Sequence, residues 1–212
     1  MEKENYEEYL SAITHYIGAG MAVSGLIALI FHSIKVGEKG YIIGSIIFGT
    51  ALIFLYTMSG TYHILKIGKL KKIFRVLDHA AIYVLISASY TPYIFTVLTG
   101  EKKWIIFSAQ WGLTLVGIIF KIFFTGRFKL VSTLIYLFMG WMVVFVFKDI
   151  KAGLSPASLN CLIAGGITYS VGAIIYMIKK IKFGHAIWHL FVIGGSVCNL
   201  SLIHISEPTR PY

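Results

Sequence analysis

The sequence predicts an all-α, polytopic membrane protein with seven transmembrane helices and a cytoplasmic amino terminus. Apolar residues make up 57% of the chain and charged residues only 13%, and the mean hydropathy is +0.79, values far outside those of soluble domains. The apolar residues form seven runs, each able to cross a hydrocarbon layer about 30 Å thick. No linker divides residues 1–199, so we expect one seven-helix domain in the cytoplasmic membrane.

Each run is bounded by short polar or basic segments. The first follows an acidic start, with four glutamates among residues 1–8, unlike the basic start of a signal peptide, and is expected to remain as a helix. The runs cover about residues 12–34, 41–65, 77–98, 104–124, 130–147, 157–178 and 184 onward. Residues 66–76, which are rich in lysine, and residues 148–156 are predicted to be loops.

Several residues inside the runs have predicted structural roles. Pro92 is expected to kink the third helix, because it removes a backbone hydrogen bond. Lys121 lies close enough to the end of the fourth helix to extend its ammonium group to the interface. Gly165, Gly166 and Gly172 are expected to allow close helix packing in the sixth helix.

Lysine and arginine residues are distributed unequally between the two ends of the helices. The end that includes the amino terminus carries Lys3, Lys66, Lys69, Lys71, Lys72, Arg75, Lys121, Arg127, Lys129, Lys179, Lys180 and Lys182. The opposite end carries Lys35, Lys39, Lys102, Lys103, Lys148 and Lys151. This bias places the amino terminus inside the cell. The basic residues behind the net charge of +10 are therefore interpreted as topology signals and as contacts to anionic lipids. No nucleic-acid partner is predicted.

The final residues differ in character from the rest of the chain. Residues 200–210, with the sequence LSLIHISEPTR, resemble the translation of a transposon-end sequencing adaptor. We therefore expect residues 200–212 to be a non-native tail, with the natural sequence departing after about Asn199. His204 and Arg210 are accordingly left out of the functional assignment.

The last run begins with two histidines that share one helix face. His185 and His189 are four residues apart, a usual spacing for offering two imidazoles to one metal ion. The predicted topology brings a third imidazole, His63, to the same inner end of the bundle, where the second helix leaves the membrane. The sequence thus predicts a group of three histidines at one depth.

Two further polar residues are predicted at that depth. Asp78 lies where the third helix enters the membrane, and Ser59 lies one turn deeper than His63 on the same side of its helix. Ionisable groups are expensive to place in a membrane, so their convergence indicates a functional site. Three imidazoles and a water form an open catalytic zinc site, in which Asp78 could act as general base and Ser59 could donate to an oxyanion.

Four motifs together resemble those of the hemolysin III family. They are the Thr14-His15 pair, Ser59-x-x-x-His63, Asp78-His79-Ala80 and His185-x-x-x-His189. That family belongs with the progestin and adipoQ receptors and, more distantly, with the alkaline ceramidases. The resemblance implies a seven-helix fold with zinc (Zn2+) bound by His63, His185 and His189, and with Asp78 and Ser59 beside the metal. His15 and His79 are expected to have no part in the site.

The resemblance implies hydrolysis of a lipid amide or ester, such as the amide of ceramide, with a membrane lipid as substrate. Bacterial-type members have been linked instead to haemolysis and membrane homeostasis. Two alternatives therefore stay open: a non-enzymatic regulator or receptor with structural zinc, and a hemolysin-type pore. The pore has little support in the residues, because no run carries a sustained polar stripe to line a water channel.

Overall fold

The computed structural model of the chain describes residues 2–178 and 180–205, with the side chains of residues 6–178 and 180–205. Helices account for nearly all of this part of the chain, and it contains no strand. The helices are α1 (Glu2–Val36), α2 (Lys39–Ile64), α3 (Lys69–Thr96), α4 (Gly100–Phe124), α5 (Lys129–Trp141), α6 (Phe147–Gly153), α7 (Pro156–Met177) and α8 (Gly184–Ile205). A 3₁₀ segment, Met142–Val146, joins α5 to α6.

Seven membrane spans are found within the described residues. Six of them lie in α1, α2, α3, α4, α7 and α8, and the fifth combines α5, the 3₁₀ segment and α6 as Lys129–Gly153. The prediction of a seven-helix, all-α membrane protein is thus confirmed. The predicted cytoplasmic location of the amino terminus stays a prediction. Lys179 and the side chain of Lys3, which contribute to its charge bias, lie outside the described residues.

Three predicted boundaries are wrong, and each error has the same cause. α1 begins at Glu2 and α3 at Lys69, about ten and eight residues earlier than predicted. Residues 148–153, predicted to belong to a loop, form most of α6, which begins at Phe147. Counting apolar residues finds the part of a helix that lies in hydrocarbon, but a helix continues into the interface wherever its polar side chains reach water or a partner.

Neighbouring helices of the bundle pack closely against one another. α2 packs between α1 and α3, α8 packs between α1 and α7, and α3 also contacts α4 and α5. Glycines permit two of these approaches. A Cβ at Gly172 would lie 2.5 Å from Phe191 Cβ on α8, and a Cβ at Gly44 would lie 2.5 Å from Pro92 Cα. The predicted packing role of Gly172 is confirmed, while α3 continues through Pro92 to Thr96.

Lys121 does not extend to the interface as predicted. Its side chain is buried, with 2% of the residue exposed, and its ammonium group donates a hydrogen bond to Ser132 Oγ at 2.6 Å. The shape of the surrounding helices explains the difference, because α5 begins directly beside the last turn of α4 and covers the lysine. A sequence pattern places the residue near a helix end but does not show which neighbour lies over it.

The described part of the predicted non-native tail, residues 200–205, continues α8. Leu202 and Ile203 are buried, and the Tyr41 hydroxyl donates to the carbonyl of Ile203. These residues are apolar enough to extend a membrane helix whatever their origin. The assignment of residues 200–212 as non-native stays a prediction, and residues 206–212 lie outside the described part.

Candidate metal centre

Three histidines meet at one end of the bundle. His63 comes from the last turn of α2, and His185 and His189 come from the first two turns of α8. Each offers a ring nitrogen, and the three nitrogens lie within 4.8 Å of one another. The Nε2 atoms of His63 and His185 are 3.1 Å apart. This group can hold a metal ion.

The separation of the His63 and His185 nitrogens suits a tetrahedral ion, while the three nitrogens together lie within 4.8 Å of one another. Zinc binds imidazole at about 2.0–2.1 Å, so two imidazole nitrogens on one tetrahedral zinc ion lie roughly 3.3 Å apart. The 3.1 Å between His63 and His185 is close to this value. His63 and His189 are 5% and 2% exposed, so their rings are held by packing rather than by water. The three imidazoles are therefore a donor set that suits a metal ion such as zinc.

α1 lies against all three histidines of the group. His189 Nδ1 donates to the Ser11 carbonyl oxygen at 3.2 Å, which leaves Nε2 with its lone pair free. His63 Nδ1 lies 3.6 Å from Glu8 Oε1, and the backbone N–H of His185 donates to Glu7 Oε1 at 3.0 Å. The carbonyl partner of His189 fixes the orientation and tautomer of that ring, the Glu8 carboxylate lies beside His63 beyond hydrogen-bond distance, and Glu7 holds the backbone of His185.

Asp78 and Ser59 lie next to each other beside this group. Asp78 is 8% exposed, and its Oδ2 lies 3.4 Å from His79 Nδ1. Ser59 is fully buried and close enough to the Asp78 carboxylate to interact with it. Asp78 lines the same cavity as His185 and His189. The structure thus brings all five predicted site residues into one region, and their chemical roles stay predictions.

Two histidines that were predicted to stay apart from the site are adjacent to it. The ring of His15 stacks on that of His189 with centroids 3.5 Å apart, and it meets the Tyr56 ring edge-on at 5.1 Å. His79 contacts Asp78 and lines the same cavity, although neighbouring positions on a helix point about 100° apart. Its Nδ1 donates to the Arg75 carbonyl at 2.8 Å, which turns the ring back toward Asp78.

Glu7 and Glu8 were not predicted as site residues. They lie in the first turns of α1, a region that the apolar pattern excluded from the membrane helix. A sequence signal was present, because the glutamates at positions 4, 7 and 8 have the helical spacing that places them on one face. Glu8 also pairs with Lys71 of α3 at 2.5 Å, so it connects α1, α2 and α3 at the metal centre.

A cavity leads from the histidines into the bundle. Its polar end includes Asp78, His185 and His189, and its far part is lined by apolar and aromatic side chains such as Leu85 and Val143. On α5 and α7 the lining reaches the exposed residues Gly140, Trp141 and Ile163 and the half-buried Gly166. The cavity therefore joins the metal centre to the lipid-facing surface between these two helices.

Comparison with known proteins agrees with these features. The family described as Haemolysin-III related matches residues 3–200. The chain is 44% identical to Hemolysin-3 of Bacillus cereus over 190 residues, covering 90% of this chain and 87% of that protein. It is 45% identical to the Hemolysin-3 homolog of Bacillus subtilis (strain 168), covering 90% and 89%.

A more distant relative comes from animals. The human monocyte to macrophage differentiation factor is 29% identical over 197 residues, covering 88% of this chain and 79% of that protein. The family match extends over nearly the whole chain and includes α1, α2, α3 and the metal-centre part of α8. The chain is therefore a member of the haemolysin III family.

Proposed function

We propose that the protein is a zinc-dependent hydrolase of a lipid amide or ester in the cytoplasmic membrane. One observation carries the proposal: His185 and His189, two of the three clustered imidazoles, line the polar end of a cavity together with the Asp78 carboxylate, and the remaining walls are mostly apolar. A lipid fits such a cavity, because its chain needs an apolar wall and its linkage needs the polar end. Three histidines also leave one coordination position open, as in catalytic zinc sites.

The residues of the chain have complementary roles in this reaction. Zinc, when bound, supplies Lewis acidity and a more acidic water. Asp78 accepts the proton that the attacking water releases, and Ser59 donates a hydrogen bond to the oxyanion that develops on the substrate carbonyl. His15 and Tyr56 cover the histidine group on the side of α1 and α2 and limit access of bulk water.

The substrate reaches the site from the membrane. The cavity meets the surface between α5 and α7, where Gly140 and Gly166 leave little side-chain bulk. Trp141 Nε1 donates to Ser170 Oγ at 3.0 Å across this gap. A lipid that passes between the two helices places its chain along the apolar wall and its linkage near Asp78.

Turnover by purified, zinc-loaded protein tests the proposal. Across a panel of amide- and ester-linked lipids we expect hydrolysis of at least one class, and its loss in His189→Ala. Intact zinc without turnover on any lipid, together with an unchanged membrane lipid profile in cells carrying His189→Ala, would contradict it.

Asp78→Asn separates an enzyme from a structural zinc protein. The substitution removes the proton acceptor and keeps the size of the side chain, so an enzyme loses turnover and retains zinc. A regulator in which zinc only joins the helices keeps both zinc and its cellular function. Zinc-dependent conductance in liposomes, abolished by substitutions along the cavity, would instead favour the pore.

The proposed orientation has its own test. Single cysteines replace Lys69 and Lys103, which lie at opposite ends of the bundle, in a chain whose Cys161 and Cys198 are changed to serine. An amino terminus inside the cell predicts that a membrane-impermeant thiol reagent labels intact cells only at position 103. Labelling at position 69 alone would show that the amino terminus lies outside the cell.

A further inference from the structure

The polar end of the cavity carries more positive than negative charge. Among the described residues that line this cavity, one carries a carboxylate, Asp78. Three carry a cationic side chain: Lys121, Arg127 and Lys129. The Asp78 carboxylate already lies 3.4 Å from His79 Nδ1. Arg127 and Lys129 are exposed to solvent, so the cation on this wall that needs a balancing charge is the buried Lys121.

Lys121 is the most deeply buried of these cations. Only 2% of the residue is exposed, and its ammonium group donates to Ser132 Oγ. Within the part of the chain that the structure describes, this ammonium group forms no ion pair with a carboxylate. A buried ammonium that keeps its charge needs a counter-charge, because burial without one is costly.

Other basic residues surround the same end of the cavity. Lys129 Nζ lies 4.7 Å from the centre of the Tyr176 ring. Arg75 extends over the turn between α4 and α5, where a Cβ at Gly126 would lie 2.5 Å from its Nη2 atom. Arg75 and Asp78 are both close enough to Lys121 to interact electrostatically with it, Arg75 with the same sign of charge and Asp78 with the opposite sign. The two like charges raise the requirement for an anion between them.

We propose that this end of the cavity is an anion subsite that binds the phosphate of an anionic lipid, whose chain occupies the apolar part. A phosphate carries the negative charge that would balance these cations, and Arg75 can offer it two parallel hydrogen bonds. Ser132 supplies a further hydroxyl beside Lys121. The inference names the substrate class of the proposed hydrolase and rests on that function.

Binding of defined lipids to the zinc-loaded protein in detergent tests the inference without turnover. The probes are phosphatidic acid, diacylglycerol with the same acyl chains, and inorganic phosphate. We expect phosphatidic acid to bind at least tenfold more tightly than diacylglycerol. Lys121→Met should remove this difference and leave diacylglycerol binding and zinc content unchanged. Lys121→Arg, which keeps the charge, should restore most of it.

A matched control separates this subsite from general charge. Lys102 lies at the opposite end of the bundle, where it pairs with Asp149 at 2.9 Å, and Lys102→Met should bind both lipids as wild type does. Equal binding of the two lipids by wild-type protein would overturn the inference, and so would equal weakening of both by Lys121→Met. Displacement of phosphatidic acid by millimolar inorganic phosphate would assign the subsite to free phosphate and overturn the lipid assignment.

The same measurements distinguish this inference from the proposed hydrolysis. Lys121-dependent binding of phosphatidic acid by protein that hydrolyses no lipid would leave the subsite intact and contradict the enzyme. Hydrolysis of a neutral lipid by wild-type protein that binds phosphatidic acid and diacylglycerol equally would leave the enzyme intact and contradict the subsite.

Discussion

Replacing Glu8 with glutamine should weaken zinc binding. The Glu8 Oε1 atom lies 3.6 Å from His63 Nδ1, the ring nitrogen opposite the one that faces His185. A carboxylate beside the uncoordinated ring nitrogen makes the imidazole a stronger ligand. Glutamine keeps the size of the side chain and removes its charge, so the substitution isolates the electrostatic contribution.

The expected size of the effect follows from distance and exposure. A metal-bound imidazole is neutral, so the Glu8 carboxylate, 3.6 Å from His63 Nδ1, acts by polarising the ring N–H and not as one charge of an ion pair. The Glu8 side chain is 37% exposed, so water screens this effect and keeps it small. We therefore expect a loss of roughly 1.4 kcal/mol, or about tenfold in zinc affinity, at the lower end of the range for such partners.

Competition with a chromophoric zinc chelator, in detergent at fixed pH, measures this affinity. Asp149→Asn is the matched control, because Asp149 also pairs with a lysine and is 36% exposed but lies at the other end of the bundle. Lys71→Met removes the second partner of Glu8 and should change the affinity by no more than about twofold. Wild-type affinity in Glu8→Gln, or an equal loss in Asp149→Asn, would refute the reasoning.

Two further predictions concern the packing and the end of the chain. Gly172→Ala should destabilise the protein by about 1–3 kcal/mol, because the new Cβ would lie 2.5 Å from Phe191 Cβ. Gly20→Ala is the control, because a Cβ there has open space and should leave the stability unchanged. Thermal unfolding in detergent measures both variants. Resequencing of the locus should show a coding sequence that departs from the present one near codon 200. An unchanged coding sequence there would contradict the prediction of a non-native tail.

The seven spans are predictable from the sequence because a membrane imposes a simple requirement on it. Each helix must present about 20 largely apolar residues to hydrocarbon, and the runs that begin at Tyr41 and Gly184 show this directly. The interfacial turns follow a different rule. Residues 69–76 contain four cations and still form the start of α3, because their side chains reach water and Glu8.

The histidine group was predictable for a related reason. Helix spacing joins His185 to His189, and topology alone places His63 at the same end, since both helices cross the membrane there. The neighbours of these residues depend on helix rotation, which the sequence pattern leaves open. The stacking of His15 on His189 and the burial of Lys121 beneath α5 both follow from rotations of that kind.

Metal analysis of the purified protein tests the central claim most directly. The account predicts one equivalent of zinc per chain in wild type and its loss in His63→Ala, because the remaining pair, His185 and His189, provides only two ligands. His32→Ala, at the opposite end of α1, should retain the metal. Zinc content that is unchanged in His63→Ala, or absent from wild-type protein purified without chelator, would contradict the account.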